Sequence, residues 1–276
     1  MLSTRCAALR LTSNAKVAAG KCGASRTCLS HDDTTGWVID LGLIRYGPAC
    51  ELQRQLVEAR KARAIPDVLL FCEHPHILTV GRNGRLEHLR APHSVLEQMH
   101  VELHSSDRGG DITYHGPGQI VAYPIVDLTE HHRDLRWYMD QLEEVMIRTS
   151  REFGVQAKRV QGQHGVWIDG PNGEEKIGAL GVHVSRWVTS HGFAYNVSAD
   201  LRYFELIVPC GIAGKGVTSL ERLLKRSVSL KEVRARLASH FSIVFNRHLQ
   251  PMAPAELAEW LIPRQEVVPG ALTSTA

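Results

Sequence analysis

The sequence predicts an α/β (α+β) domain with a mixed central β-sheet flanked by helices. Three features predict it. Short apolar segments of strand length recur along the chain. Longer stretches carry apolar residues at helical spacing. Strands and helices interleave irregularly, with hairpin-like pairs beside helix crossovers, which favours a sheet with both parallel and antiparallel neighbours.

In chain order, Gly36 to Leu41 alternates like a short strand. Pro48 opens a helical stretch with Leu52, Leu56 and Ala59 on one face. Asp67 to Cys72 reads as a buried strand and Ile77 to Val80 as a second. Leu96 to Val101 is a weaker passage from helix to strand. Ile120 to Val126 is strongly apolar, and Pro124 in it argues for an edge or a strand end. Asp134 starts the clearest helix, carried by Leu135, Tyr138, Leu142, Val145, Met146 and Thr149, with Gly154 as its stop. Gly165 to Ile168 and Lys176 to Val184 are strands joined through the turn residues Asp169 to Gly173. Gly192 to Val197 is another strand. Val228 to Phe245 is a helix with Leu230, Val233, Leu237 and Phe241 on one face, and Ala253 to Leu261 a last short helix. No internal repeat or linker interrupts the body, so residues 36–250 form one domain and residues 251–276 a C-terminal tail.

The bulk properties exclude several classes. The chain has 276 residues, 43% hydrophobic and 22% charged, the profile of an ordinary globular protein. A net charge of +3 does not argue for nucleic acid. No apolar run approaches the ~18 residues that span a membrane. The spacing of Cys6, Cys22, Cys28, Cys50, Cys72 and Cys210 fits neither a disulfide framework nor a zinc site, so free thiols and no metal are expected. From Met1 to Ser30 the chain carries Arg5, Arg10, Lys16, Lys21 and Arg26 and no acid. Residues 1–31 are therefore expected to be a transit peptide, with a mitochondrial address; the alternative is a tail with no address.

Four stretches carry the chemistry. Arg108 to Gln119 holds Gly109, Gly110, Gly116 and Gly118, flanked by Arg108 and His115. Such a loop lines a pocket with free N–H groups, with Tyr114 as an apolar wall, or else is a tight connection between strands. Lys176 begins the apolar run Ile177-Gly178-Ala179-Leu180-Gly181. It is either a solvated strand end or a partly desolvated base. In His191 to Val197, Gly192 and Ala194 leave room for a ligand, unless the strand is plain core. Cys210 stands between Pro209 and Gly211, an inert buried thiol or a nucleophile open on one side.

In this order the four stretches, together with Glu73 to Gly81 and Thr218-Ser219-Leu220, resemble the lipoyl(octanoyl) transferase family from about Trp37 to Phe245. The resemblance implies the catalytic fold shared by biotin and lipoate protein ligases. It implies an acyl thioester on Cys210, with Lys176 lowering the thiol pKa and shuttling protons. It implies an acyl pocket lined by Arg108, Gly109, Gly110, Asp111, Ile112, Thr113, Tyr114, His115, Ala179, Leu180, Gly181, Gly192, Phe193 and Ala194. The implied donor is octanoyl-acyl carrier protein. The implied acceptors are apo lipoyl domains of 2-oxoacid dehydrogenase subunits and the glycine cleavage H protein. Amide formation from a thioester is downhill, so no cofactor and no ATP are implied. The family often has serine where Ala179 stands, and smaller aliphatics in place of Phe193 and Tyr195, which bears on acyl length.

Other readings start from single features. An ATP-dependent lipoate–protein ligase shares the fold but needs no cysteine nucleophile. A non-catalytic module binding lipoyl domains or nucleic acid needs neither Cys210 nor Lys176. Gly211 to Ser219 fails the phosphate-loop template because Gly216 follows Lys215 where Ser or Thr is required. His74 and His76 lack the further ligands of a metal site.

Overall fold

A computed structural model describes residues 34–208 and 216–261. Its main sheet is built on β1 (Thr35–Leu43), β2 (Asp67–Glu73), β6 (Gln119–Ile125), β7 (Lys158–Val160), β8 (Gln163–Gly170), β9 (Gly173–Ser185), β10 (Val188–Asn196) and β12 (His248–Pro251). Their order is β12-β1-β2-β6-β10-β9-β8-β7, with β11 (Gly216–Val217) added against β9. β1 is parallel to β12 and to β2, β11 is parallel to β9, and the other pairs are antiparallel, so the sheet is mixed as expected. A smaller sheet joins β4 (Glu102–Ser105), β3 (Ile77–Val80) and β5 (Ile112–His115).

Helices cover both faces, and strand alternation decides which residues meet them. On β2, Leu69 and Phe71 join the core under α3 (Leu135–Glu152), the short α4 (Leu220–Leu224) and α5 (Leu230–Phe245). Val68, Leu70 and Cys72 face the opposite core, which packs with α1 (Tyr46–Lys61) and α6 (Pro254–Leu261). Asp134 caps α3 by accepting from the N–H groups of Arg136 at 2.7 Å and Trp137 at 3.2 Å. Gly154, at φ +77°, stops it.

The passage from Leu96 to Val101 resolves into α2 (His93–Gln98) followed by β4. Pro124 marks the end of β6, not an edge, because β6 lies between β2 and β10. The glycine-rich stretch contains strand β5, which its four glycines hide from periodicity. Residues 251–261, placed with the tail, instead belong to the fold. Pro251 is the last residue of β12, and α6 buries Leu257 and sets Trp260 against Trp37 at 5.2 Å between ring centroids. The expected transit peptide lies outside the described residues.

Candidate active site

Where β5 and the loop before it face β6, β9 and β10, they enclose a cavity of about 510 Å³, counted to its open mouth. All the expected pocket residues except Gly109 and Tyr114 line it, joined by Tyr46, Val121, Tyr123 and His191. The register explains the assembly. Ala194 stands opposite Ala179, Phe193 opposite Leu180, Gly192 opposite Gly181 and His191 opposite Val182. Stretches far apart in sequence thus become adjacent walls.

Glycine stands at two close approaches in the cavity wall. A Cβ on Gly192 would sit 2.3 Å from the Ala122 carbonyl oxygen, and one on Gly181 3.0 Å from that of Gly109. These backbones meet only because neither residue has a side chain.

Tyr114 is the correction among the pocket residues. It packs into the core beside Leu78 and Phe204, where its hydroxyl bonds His76 Nδ1 at 2.8 Å and its ring stacks on Tyr203 at 5.1 Å. Gly109 acts through its backbone, donating to the Val182 carbonyl at 2.9 Å and so tying the loop to β9. Arg108 is buried and stitches the same loop to β3, donating from Nε to Thr79 Oγ1 at 3.0 Å and from Nη2 to the Asp111 carbonyl at 2.7 Å. The Asp111 carboxylate accepts from the Arg85 N–H at 3.0 Å and contacts His88. His74 and His76 part company: His74 bonds Tyr123, and His76 joins the Tyr114–Tyr203 stack.

His115 has its tautomer set by a chain of amides. Asn196 Nδ2 donates to the Thr218 carbonyl at 3.0 Å, so its Oδ1 accepts from Gln119 Nε2 at 2.9 Å. Gln119 Oε1 must then accept from His115 Nδ1 at 2.7 Å, which leaves Nε2 with the lone pair. Burial, helped by the neighbouring His74, pushes the His115 pKa down to about 3 against the Gln119 hydrogen bond. The ring is therefore a neutral acceptor on the cavity wall.

The same chain of contacts reaches Lys176. The Thr218 N–H donates to the Lys176 carbonyl at 3.0 Å, and Val217 pairs with Lys176 across β11 and β9. Lys176 is buried on β9, three positions before Ala179, with Nζ 4.5 Å from the centre of the Trp167 ring. It does not itself line the cavity. Cys210 lies outside the described residues. Of the two described thiols, burial pushes Cys50 up to about 11 and Cys72 higher still, which suits neither to nucleophilic attack.

Sequence reasoning missed Tyr46, Val121 and Tyr123 because nothing local to α1 or β6 distinguishes a cavity wall from core. His191 was within a stretch singled out beforehand, and its polarity at the start of an apolar strand was the available signal.

Residues 45–242 match the family model of the lipoyl protein ligase A/B catalytic domain. An octanoyltransferase of Solibacter usitatus is 49% identical over 213 residues, covering 77% of this chain and 94% of that relative. An octanoyltransferase of Cytophaga hutchinsonii is 44% identical over 237 residues, covering 80% of this chain and 97% of the relative. Among solved structures, the bi-partite lipoate protein ligase of Thermoplasma acidophilum matches with a TM-score of 0.66 at 18% identity, over 83% of this chain and 90% of that one. A lipoate-protein ligase A bound with ATP matches with a TM-score of 0.65 at 16% identity, over 82% and 92%. At those identities the two structures establish the fold alone. The family model and the relatives go further: the chain belongs to the octanoyltransferase family and is an acyltransferase.

Proposed function

We propose that the chain transfers an octanoyl group from octanoyl-acyl carrier protein, through a thioester on Cys210, to the lysine of apo lipoyl domains. The acceptors are those of 2-oxoacid dehydrogenase subunits and the glycine cleavage H protein. The observation that carries this reading is the cavity, whose walls are largely apolar or glycine and come from three of the four sequence stretches. At about 0.8 kcal/mol per buried CH₂, the carbons beyond the carbonyl of an octanoyl chain supply roughly 5 kcal/mol there.

The chemistry divides into two exchanges. Cys210 Sγ, its proton passed to Lys176, attacks the donor's thioester carbonyl as thiolate, and the carrier's thiolate leaves and takes that proton from Lys176, leaving Lys176 neutral. The acceptor lysine amine then attacks the Cys210 thioester, passes a proton to neutral Lys176, and expels the Cys210 thiolate. Support for this pairing comes from the anchors flanking Cys210. The Val208 N–H donates to the His88 carbonyl at 2.7 Å, and the chain re-enters the described structure at β11, whose Val217 pairs with Lys176. The basic, acid-free first thirty residues support a mitochondrial location.

Incubation with octanoyl-acyl carrier protein, without ATP, is expected to add one octanoyl mass, removable by hydroxylamine and absent in Cys210→Ser. Labelling that persists in that variant, or that requires ATP, overturns the reading and favours a ligase. Lys176→Ala is expected to slow alkylation of Cys210 at neutral pH; an unchanged rate removes Lys176 from the activating role. A reporter carrying residues 1–31 is expected in mitochondria, and cytosolic retention would refute the address.

A further inference from the structure

Beside the acyl cavity lies a second, open groove whose lining includes the charged and polar residues Arg54, Lys61, Asp107 and His183 as well as Cys50. Among the described residues, His191 alone lines both spaces. Its level along the sheet follows from the register. The cavity begins at the pair Ala179–Ala194, the level nearest Lys176, and runs past Gly181–Gly192 to His191, which stands opposite Val182. From Ala179, where the cavity begins, to Val182 is roughly 10 Å along the strand, close to the extended length of an octanoyl chain. An acyl chain whose carbonyl sits at the Lys176 end therefore points its methyl end at His191.

The ring is held in place at a cost. His191 has a φ of +55°, in the left-handed region that disfavours side chains. Its N–H donates to Gln53 Oε1 at 2.7 Å, and its Nε2 meets Asp107 Oδ1 at 2.7 Å. Its Nδ1 is buried with no hydrogen-bond partner. A strained backbone and an unsatisfied ring nitrogen persist where the surroundings over-determine a conformation, and such sites are commonly functional.

We propose that His191 is the end wall of the acyl cavity and sets acyl-chain length, with Asp107 and Gln53 as the residues that position it. This inference rests on the reading that the acyl carbonyl lies at the Lys176 end. The wall works by exclusion. A longer chain gains little from the charged groove beyond, so opening the wall relaxes the upper limit on length without creating a new apolar subsite.

The test compares octanoyl- and dodecanoyl-acyl carrier protein as donors for the intact protein, by transfer rate and by mass of the acyl-enzyme. His191→Gly suits it because glycine is at ease at this φ, the Gln53 contact is to backbone, and the released Asp107 side chain is already 63% exposed. The dodecanoyl-to-octanoyl ratio is expected to rise at least about tenfold, the scale on which a pocket discriminates single methylenes. His191→Asn, also tolerant of left-handed backbone, is expected to give a smaller rise. Direct binding of dodecanoate against octanoate gives a readout independent of turnover. An unchanged ratio in both variants, with wild type still acylated by octanoyl donor, overturns the end wall and leaves the proposed function standing. Absence of acylation of wild type by either donor overturns both.

Discussion

Two buried polar networks lie in this molecule and use burial in opposite ways. The first is ionic and knits the fold. Asp67 accepts from Arg60 Nε at 2.9 Å, Arg247 Nε at 2.7 Å, His131 Nε2 at 3.2 Å and the Asp127 N–H at 3.0 Å. Glu130 closes it, meeting Arg60 Nη2 at 2.6 Å and Arg247 Nη2 at 3.0 Å. Burial alone would push the Asp67 carboxyl up; the His131 hydrogen bond and the two guanidinium charges together hold it well below the usual carboxylate range. The second network borders the cavity and its rings are neutral. Burial lowers His74 and His115 and raises Tyr46 and Tyr123, so each sheds or refuses charge. Neutral rings that satisfy one another avoid the desolvation cost that unpaired ions would carry on a largely apolar wall.

The contrast breaks most visibly at Asp67. Asp67→Ala leaves the buried Arg60 and Arg247 without their shared carboxylate and is expected to cost about 3–5 kcal/mol of stability, measured by urea unfolding. A loss below about 1 kcal/mol would show that the ionic network is not holding α1 and the Arg247 segment to β2.

The next effect separates the networks by pH. The His115 pKa is lowered to about 3 in the fold, against about 6.5 unfolded, so the unfolded chain binds the proton first as pH falls. Its contribution is complete above about pH 6.5 and is lost as pH falls toward 3, reaching about 2–3 kcal/mol by about pH 4.5. Asp67, whose pKa is also depressed, contributes in full above its unfolded value of about 3.9 and is lost only as pH falls below it. Stability measured across this range should decline in both stages, and His115→Asn should flatten the upper one. An unaltered upper stage would mean that His115 does not carry it.

The smallest effect sharpens the neutral side. His74 Nδ1 donates to the Ile44 carbonyl at 2.6 Å, so Nε2 accepts from the Tyr123 hydroxyl at 2.7 Å. Tyr123→Phe leaves that acceptor only the weak Cys72 thiol donor, with Sγ 3.6 Å away, at a cost of about 1 kcal/mol. No change in the urea midpoint would show that the bond is not formed in solution.

Much of the fold was legible because its signals are local. Ile77–Val80 is a strand by its apolar run, α3 starts at Asp134 and stops at Gly154 by capping chemistry, and Asp169 to Gly173 turns β8 into β9. Strands β4, β5, β7 and β12 were not legible, because segments of three or four residues are too short to show a period. The pocket stretches were legible as glycine-rich motifs in a characteristic order, yet that order does not say which side of a strand faces the ligand. Tyr114 turned away for that reason, and Tyr46, from a helix more than sixty residues earlier in the chain than Ile112, turned in.

By itself the sequence determined the family, the mixed α/β class and the segments that would carry the chemistry, since residue order, periodicity and capping are written along the chain. The tertiary structure alone decided that Ala179 to Gly181 and Gly192 to Ala194 become facing walls, that α6 buries Leu257 against the body, and that His191 stands between two spaces. The physical reason is that strand register and packing are set by long-range pairing and burial, and neither is encoded at any single position.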